Sequence, residues 1–259
     1  MNEDFFSLKL LVVSEAAPER DLLRQAASQA SVPTEIFEAE SAGDATAAKQ
    51  LVARDSYDVV LFDSRISKQG RQDLLDAIRA APSRPLAVLI GPAAMKTREV
   101  LTDGLEVDSA LGKPIEPQEV CDLIGHCVHA RLPKRVLIVD DSSTVRSIIR
   151  KVLQASHFKL DAEEAADGSA AIDLVKKQRY DIVFLDCQMP VVDGFAALGE
   201  FQRVHADMKV VMITGTRDAR IEDRARGAGA TDFLYKPFFA KDIDAVLSRL
   251  FGLSRPRWN

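Results

Sequence analysis

Short, nearly unbroken apolar runs alternate along this chain with stretches whose apolar residues recur at three- and four-residue spacing. In the second half the run Arg135-Val136-Leu137-Ile138-Val139 ends in Asp140-Asp141. Val145, Ile148, Ile149, Val152 and Leu153 follow at helical spacing, with Ser142 placed to cap the helix. Further strands are predicted at residues 182–185, 210–213 and 232–234, with a weaker one near 160–164. Helices are predicted around 169–177, 195–205, 218–226 and 240–251. In the first half the strand runs are 9–13, 57–62, 86–90 and 110–111, closed by a helix near 117–130. Apolar strands alternating with helices imply right-handed βαβ crossovers and a parallel sheet covered on both faces.

The two halves share more than this order. Tyr57-Asp58-Val59-Val60-Leu61-Phe62-Asp63 returns 123 residues later as Tyr180-Asp181-Ile182-Val183-Phe184-Leu185-Asp186, and Lys113-Pro114 returns at the same distance as Lys236-Pro237. Gly91 and Thr214 keep that offset after matching apolar runs. An offset held over separated segments indicates duplication of a whole domain. Two domains are therefore expected, 1–131 and 132–259, each long enough to bury its own core.

Composition narrows the class. With 47% apolar and 28% charged residues the chain reads as globular. No apolar run approaches a membrane span, and Met1-Asn2-Glu3-Asp4 lacks the basic region of a signal peptide. The expectation is a cytoplasmic protein with no membrane insertion. Three cysteines without a CxxC pair suit a reducing compartment. Cys121, His126, Cys127 and His129 have metal-ligand chemistry, but on one helix they point in different directions and cannot close a tetrahedron. Residues 1–132 hold 14 basic against 21 acidic side chains, net −7, and residues 133–259 hold 20 against 18, net +2. Neither half has the dense basic stripe of a nucleic-acid binder, so no nucleic-acid partner is expected.

In an open parallel sheet, ligands bind beyond the carboxyl ends of the strands. In the second half Asp140 and Asp141 end the first strand, Asp186 the third and Thr214 the fourth, while Lys236 follows the fifth. Three carboxylates at one spot repel unless a cation joins them, and an all-oxygen site of this kind suits Mg²⁺. The set fits phosphoryl transfer to a carboxylate. Asp186, after the most central strand, is the candidate nucleophile, with a lysine and a hydroxyl to bind phosphoryl oxygens.

These residues resemble the receiver domain of two-component response regulators, in two tandem copies spanning about residues 8–130 and 134–252. The second copy carries Asp140-Asp141, the acceptor in Phe184-Leu185-Asp186-Cys187-Gln188-Met189-Pro190 followed by Asp193-Gly194, the switch hydroxyl Thr214, and Lys236-Pro237-Phe238. The resemblance implies an α/β architecture of two flavodoxin-like domains, each with sheet order 2-1-3-4-5. It implies Mg²⁺ held by Asp141, Asp186 and the main-chain carbonyl of Gln188, with Asp140 acting mainly through water. It also implies phosphorylation by a sensor histidine kinase or a histidine phosphotransfer protein, and a downstream protein target. Phe233, three before the lysine, stands at the switch aromatic, expected to turn in when Thr214 moves toward the phosphoryl group. Arg217, Arg220, Arg224 and Arg226 form a basic run on the fourth helix, where family members often dimerise, so a second copy of this chain is a candidate partner.

The first copy departs from the pattern. Ser14-Glu15 replaces the acidic pair, Gly91 the switch hydroxyl, Ala110 the aromatic and Ser67 the proline, while Asp63 and Lys113 remain. Asp63 is thus a candidate second acceptor, but the losses favour a docking or dimerising domain that phosphorylation does not regulate. The whole reads as a signalling protein and not an enzyme. The alternative is an aspartyl-phosphate phosphohydrolase of haloacid dehalogenase type, which generally wants a second acid where Gln188 stands.

Overall fold

Strand and helix alternate through residues 7–30, 34–39, 45–92, 105–156, 158–190 and 192–253, the residues described by this computed structural model. The Met1-Asn2-Glu3-Asp4 segment lies outside them. Two compact units result, one being Leu132–Leu250 and the other the remaining described residues.

The first unit contains β1 (Leu8–Val13), α1 (Ala17–Ser28), β2 (Thr34–Ala39), α2 (Thr46–Arg54), β3 (Val59–Asp63), α3 (Lys68–Ala80), β4 (Leu86–Pro92), β5 (Ser109–Lys113) and α4 (Pro117–Arg131). Its sheet is parallel with order β2-β1-β3-β4-β5. Every residue of β3 is buried, as its unbroken apolar run requires. β2 was not predicted. Its sequence, Thr-Glu-Ile-Phe-Glu-Ala, has no continuous apolar run, and it lies at the edge of the sheet. It nonetheless pairs along its full length, from Leu8 with Thr34 to Val13 with Ala39.

The second unit repeats the plan with β6 (Lys134–Val139), α5 (Ser143–Ala155), β7 (Leu160–Ala165), α6 (Gly168–Lys177), β8 (Ile182–Asp186), α7 (Gly194–Val204), β9 (Lys209–Thr214), α8 (Ala219–Gly227), β10 (Asp232–Tyr235) and α9 (Ala240–Leu250). From one edge its order is β7-β6-β8-β9-β10. Both sheets therefore have the 2-1-3-4-5 order of the flavodoxin-like fold. Ser142, Asp167, Asp193 and Asp218 cap α5, α6, α7 and α8, each accepting a backbone N–H from the first turn. The core clusters Leu137, Val183, Leu185, Phe201, Val210 and Met212 around the central strands. Burying each such side chain contributes about 1.5–3 kcal/mol.

The duplication is visible in hydrogen bonds as well as in sequence. Asp58 accepts the N–H of Lys9 at 3.0 Å, and Asp181 accepts that of Arg135 at 2.8 Å. The N–H after each central-strand aspartate donates to the neighbouring strand in the same way, Ser64 to Ile90 at 2.8 Å and Cys187 to Ile213 at 2.9 Å. Because all strands of a sheet run parallel, their carboxyl ends gather on one edge, and there the polar residues collect. Cys121, His126, Cys127 and His129 lie together on α4. Among the described residues no helix is long and apolar enough to cross a membrane.

Candidate functional site

Asp140 and Asp141 follow β6 and Asp186 closes β8; one oxygen from each lies within 4.8 Å of the others. Asp140 is 0% exposed and Asp186 5%, whereas Asp141 faces solvent. The N–H of Ser142 fixes Asp140 Oδ1 at 2.8 Å. Lys236, immediately after β10, spans the two buried acids, its Nζ donating to Asp140 Oδ2 at 3.0 Å and to Asp186 Oδ2 at 3.1 Å. Burial pushes the Asp186 carboxyl above its ordinary value, with Asp140 adding to the rise and Lys236 opposing it. Burial pulls the Lys236 ammonium down, but the two carboxylates outweigh it and leave the group raised. One cation thus faces three carboxylates. The excess negative charge and the all-oxygen donor set fit a hard divalent cation such as Mg²⁺.

The loop after Asp186 is held closely. Cys187 accepts from the N–H of Gly194 at 3.2 Å, and a Cβ on Gly194 would lie 2.2 Å from the carbonyl oxygen of Asp186, which no side chain permits. The backbone of Gln188 bonds the Asp186 carboxylate. Burial and the adjacent Asp186 charge push the Cys187 thiol up to about 11, so this cysteine remains a thiol at neutral pH. Thr214, 5% exposed at the end of β9, accepts the N–H of Thr216 at 3.2 Å and reaches the Cys187 thiol.

Phe233 faces the core in this structure. It is already turned in, 4% exposed within the core, its ring stacked 6.3 Å from Tyr235 and covered by the Arg226 guanidinium at 4.9 Å. Side chains two apart on a strand share a face, so Tyr235 points the same way, and its hydroxyl donates to Glu222 at 2.5 Å. The basic run that leads from Arg217 into α8 packs partly on aromatic rings. Arg217 lies 4.6 Å over Tyr235 and Arg224 4.3 Å over Phe195, while Arg220 pairs with Asp218.

Residues 136–248 match the sequence profile of the response regulator receiver domain. The chain is 42% identical over 118 residues to protein CcdB of Bacillus subtilis, covering 46% of this chain and 98% of that protein. The chain belongs to the response regulator receiver family. A second receiver relative, chemotaxis protein CheY of Bacillus subtilis, is 36% identical over 115 residues, covering 44% of this chain and 95% of that one. Over 95% of this chain the fold resembles 98% of a solved probable two-component system response regulator/GGDEF domain protein, with TM-score 0.57 and 21% identity.

The first copy places a different set of groups at the same receiver position. Asp63, 2% exposed at the end of β3, meets Lys113 Nζ at 2.9 Å, as Asp186 meets Lys236. The carboxylate bridging to that lysine comes from an unpredicted residue. Glu19, in the first turn of α1, accepts from Lys113 Nζ at 2.6 Å and from the Ser14 hydroxyl at 3.0 Å, so it does what Asp140 does in the second receiver. A second unpredicted residue is Arg65, at the position of Gln188. Its Nε and Nη2 donate to Asp63 Oδ2 at 2.9 and 2.5 Å, its backbone N–H to Asp63 Oδ1 at 2.8 Å, and Nη2 to Glu19 at 3.0 Å. Burial would raise the Asp63 carboxyl, but Arg65 and Lys113 hold it well below the usual carboxylate range. The two candidate acceptors are therefore shifted in opposite directions. The repeat gave a usable signal for Arg65, since a cation two residues after the candidate acceptor is visible in the alignment of the halves. Glu19 gave none, because a glutamate in a helix's first turn is ordinary.

Proposed function

We propose that the second receiver is a phosphorylation switch whose acceptor is Asp186. The carboxylate attacks the phosphorus of a phosphohistidine on a sensor kinase or phosphotransfer protein, or of a small acyl phosphate. The new bond is O–P, the donor's P–N or P–O bond breaks, and the donor leaves with its electron pair. Asp141, Asp186 and the main-chain carbonyl of Gln188 would hold Mg²⁺, with Asp140 acting through water. When bound, the cation neutralises the phosphoryl oxygens as they approach the acid cluster. Lys236 is poised to follow the charge from Asp186 onto the phosphoryl group, and Thr214 to give up Thr216 for a phosphoryl oxygen. Loss of the Thr214–Thr216 contact would move the loop carrying Arg217, and with it the Tyr235 ring beneath, so the changed surface is the α8–β10 face. A downstream protein reads that surface; the chain signals by contact and turns over no substrate of its own.

The observation that carries this reading is the bridging of two buried aspartates by Lys236 beside the exposed Asp141. Incubation with acetyl phosphate and Mg²⁺, read by intact mass, is expected to add one phosphoryl group to the wild type and to Asp63→Asn and none to Asp186→Asn. Addition to Asp186→Asn, lost only when Asp63 is also replaced, would move the acceptor to the first receiver.

A further inference from the structure

Both receivers gather carboxylates at the same strand edge, but they differ in what balances them. In the second, Lys236 is the only cation bonded to a carboxylate of the acid cluster among the described contacts, and Gln188 brings no charge. In the first, a second cation is part of the fold. Arg65 reaches Asp63 through three N–H groups and Glu19 through Nη2, and Glu15 adds to the field that raises its pKa behind the Asp63 hydrogen bonds. Lys113 completes the set from β5.

We propose that Arg65 is the resident cation of the first receiver, its guanidinium doing between Asp63 and Glu19 what a divalent metal does in the second receiver, and closing Asp63 to metal and phosphoryl donors alike. This rests on the metal reading of the Asp140, Asp141 and Asp186 cluster. Two physical arguments favour it. Arg65 Nε and Nη2 and Lys113 Nζ all donate to Asp63 Oδ2 while the Arg65 backbone N–H takes Oδ1, so both oxygens that a metal ion or a phosphoryl donor would need are already engaged. The side chain is also tethered to the backbone two residues from Asp63, so its local concentration exceeds any reached by a free ion. The first receiver is then fixed in one charge state, unresponsive to Mg²⁺ and to acyl phosphates, and it offers partners a constant surface while its neighbour switches.

The test counts bound Mn²⁺ on the full chain by electron paramagnetic resonance, with Mn²⁺ standing in for Mg²⁺. One ion is expected on the wild type, two on Arg65→Gln and on Arg65→Ala, and the gain should vanish when Asp63→Asn is added to either variant. The reciprocal change Gln188→Arg should lose the wild-type ion. If folded Arg65→Gln and Arg65→Ala bind no more than the wild type, the inference falls. A wild-type count that drops in Asp63→Asn overturns it without using any Arg65 variant. A wild type that binds no ion while Arg65→Gln binds one would instead sink the metal reading of the second receiver and leave the role of Arg65 standing.

Discussion

Lys236 Nζ donates to Asp186 Oδ2 at 3.1 Å, although Asp186 is the acid whose pKa burial raises most plainly. Burial there outweighs the lysine, so the bond offsets only part of the cost of the buried charge. Replacing the lysine leaves Asp140 and Asp186 buried without their shared partner. Lys236→Ala is expected to slow phosphoryl incorporation from acetyl phosphate about 100-fold, as loss of a pre-placed charged donor does. Quench-flow with radiolabelled donor measures this, and an unchanged rate would remove Lys236 from the chemistry.

Asp63 and Asp186 should respond oppositely to amidation. Asp63 titrates below the carboxylate range, so its contribution to stability is complete above the unfolded value of about 4 and disappears as pH falls through the folded value. Asp186 is shifted the other way, above its ordinary value: the folded chain keeps the proton longer, and stability declines as pH rises from the unfolded value through the folded one. In metal-free buffer at pH 7, Asp63→Asn is expected to lose about 1–3 kcal/mol. Asp186→Asn is expected to raise the melting temperature of its domain by a few degrees. Added Mg²⁺ should stabilise the wild type and not Asp186→Asn. Calorimetry at several pH values measures both signs, and equal signs would contradict the opposed environments.

Gly194→Ala is expected to fail structurally. The new methyl would sit 2.2 Å from the Asp186 carbonyl oxygen and 2.9 Å from the Cys187 Cα, both backbone atoms that cannot swing aside. A loss of about 2 kcal/mol or more is expected in urea denaturation, with the acceptor loop displaced. Gly199→Ala, in the same helix and with open space around it, is the control and should be nearly neutral or mildly stabilising.

Tyrosine ionisation should come late. Burial and then Glu222 push the Tyr235 phenol to about 12, burial and Glu163 do the same for Tyr180, and burial also raises Tyr57. These are the three tyrosines of the chain. Absorbance at 295 nm is expected to show little ionisation at pH 10, where an ordinary phenol is half ionised. Glu222→Gln should bring one transition down, and a wild-type transition near 10 that Tyr235→Phe abolishes would show that the α8–β10 face is more open than described.

Much of the fold could be read from the residues because buried parallel strands leave unbroken apolar runs, as at β3, β6 and β8. β2 could not, since Thr-Glu-Ile-Phe-Glu-Ala has only two apolar residues together before its last position. The placement of the acids of the second receiver was legible because each follows a strand, and strand ends in a parallel sheet converge whatever the loops do. The first site was only half legible. Asp63 and Lys113 end strands in the same way, but Glu19 enters from a helix, and its approach to Lys113 depends on how α1 lies across the sheet. The inward position of Phe233 was hidden for a related reason: the sequence marks where an aromatic stands, while its rotamer is set by Arg226 and Tyr235, which come from two different elements.

One pair of contacts lies beneath both sites. Arg20 Nη1 holds the carbonyl of Ser14 at 2.6 Å, and Arg146 Nη1 holds that of Asp140 at 2.7 Å, each from the helix that follows the loop it braces. The first brace holds a serine and the second an acid, and both bonds are to the main chain. Such a loop is a socket indifferent to its fitting. The side chain at 14 or 140 can therefore change without loosening the clamp, and what each site does is decided by its other residues, Arg65 in the first receiver and Lys236 in the second.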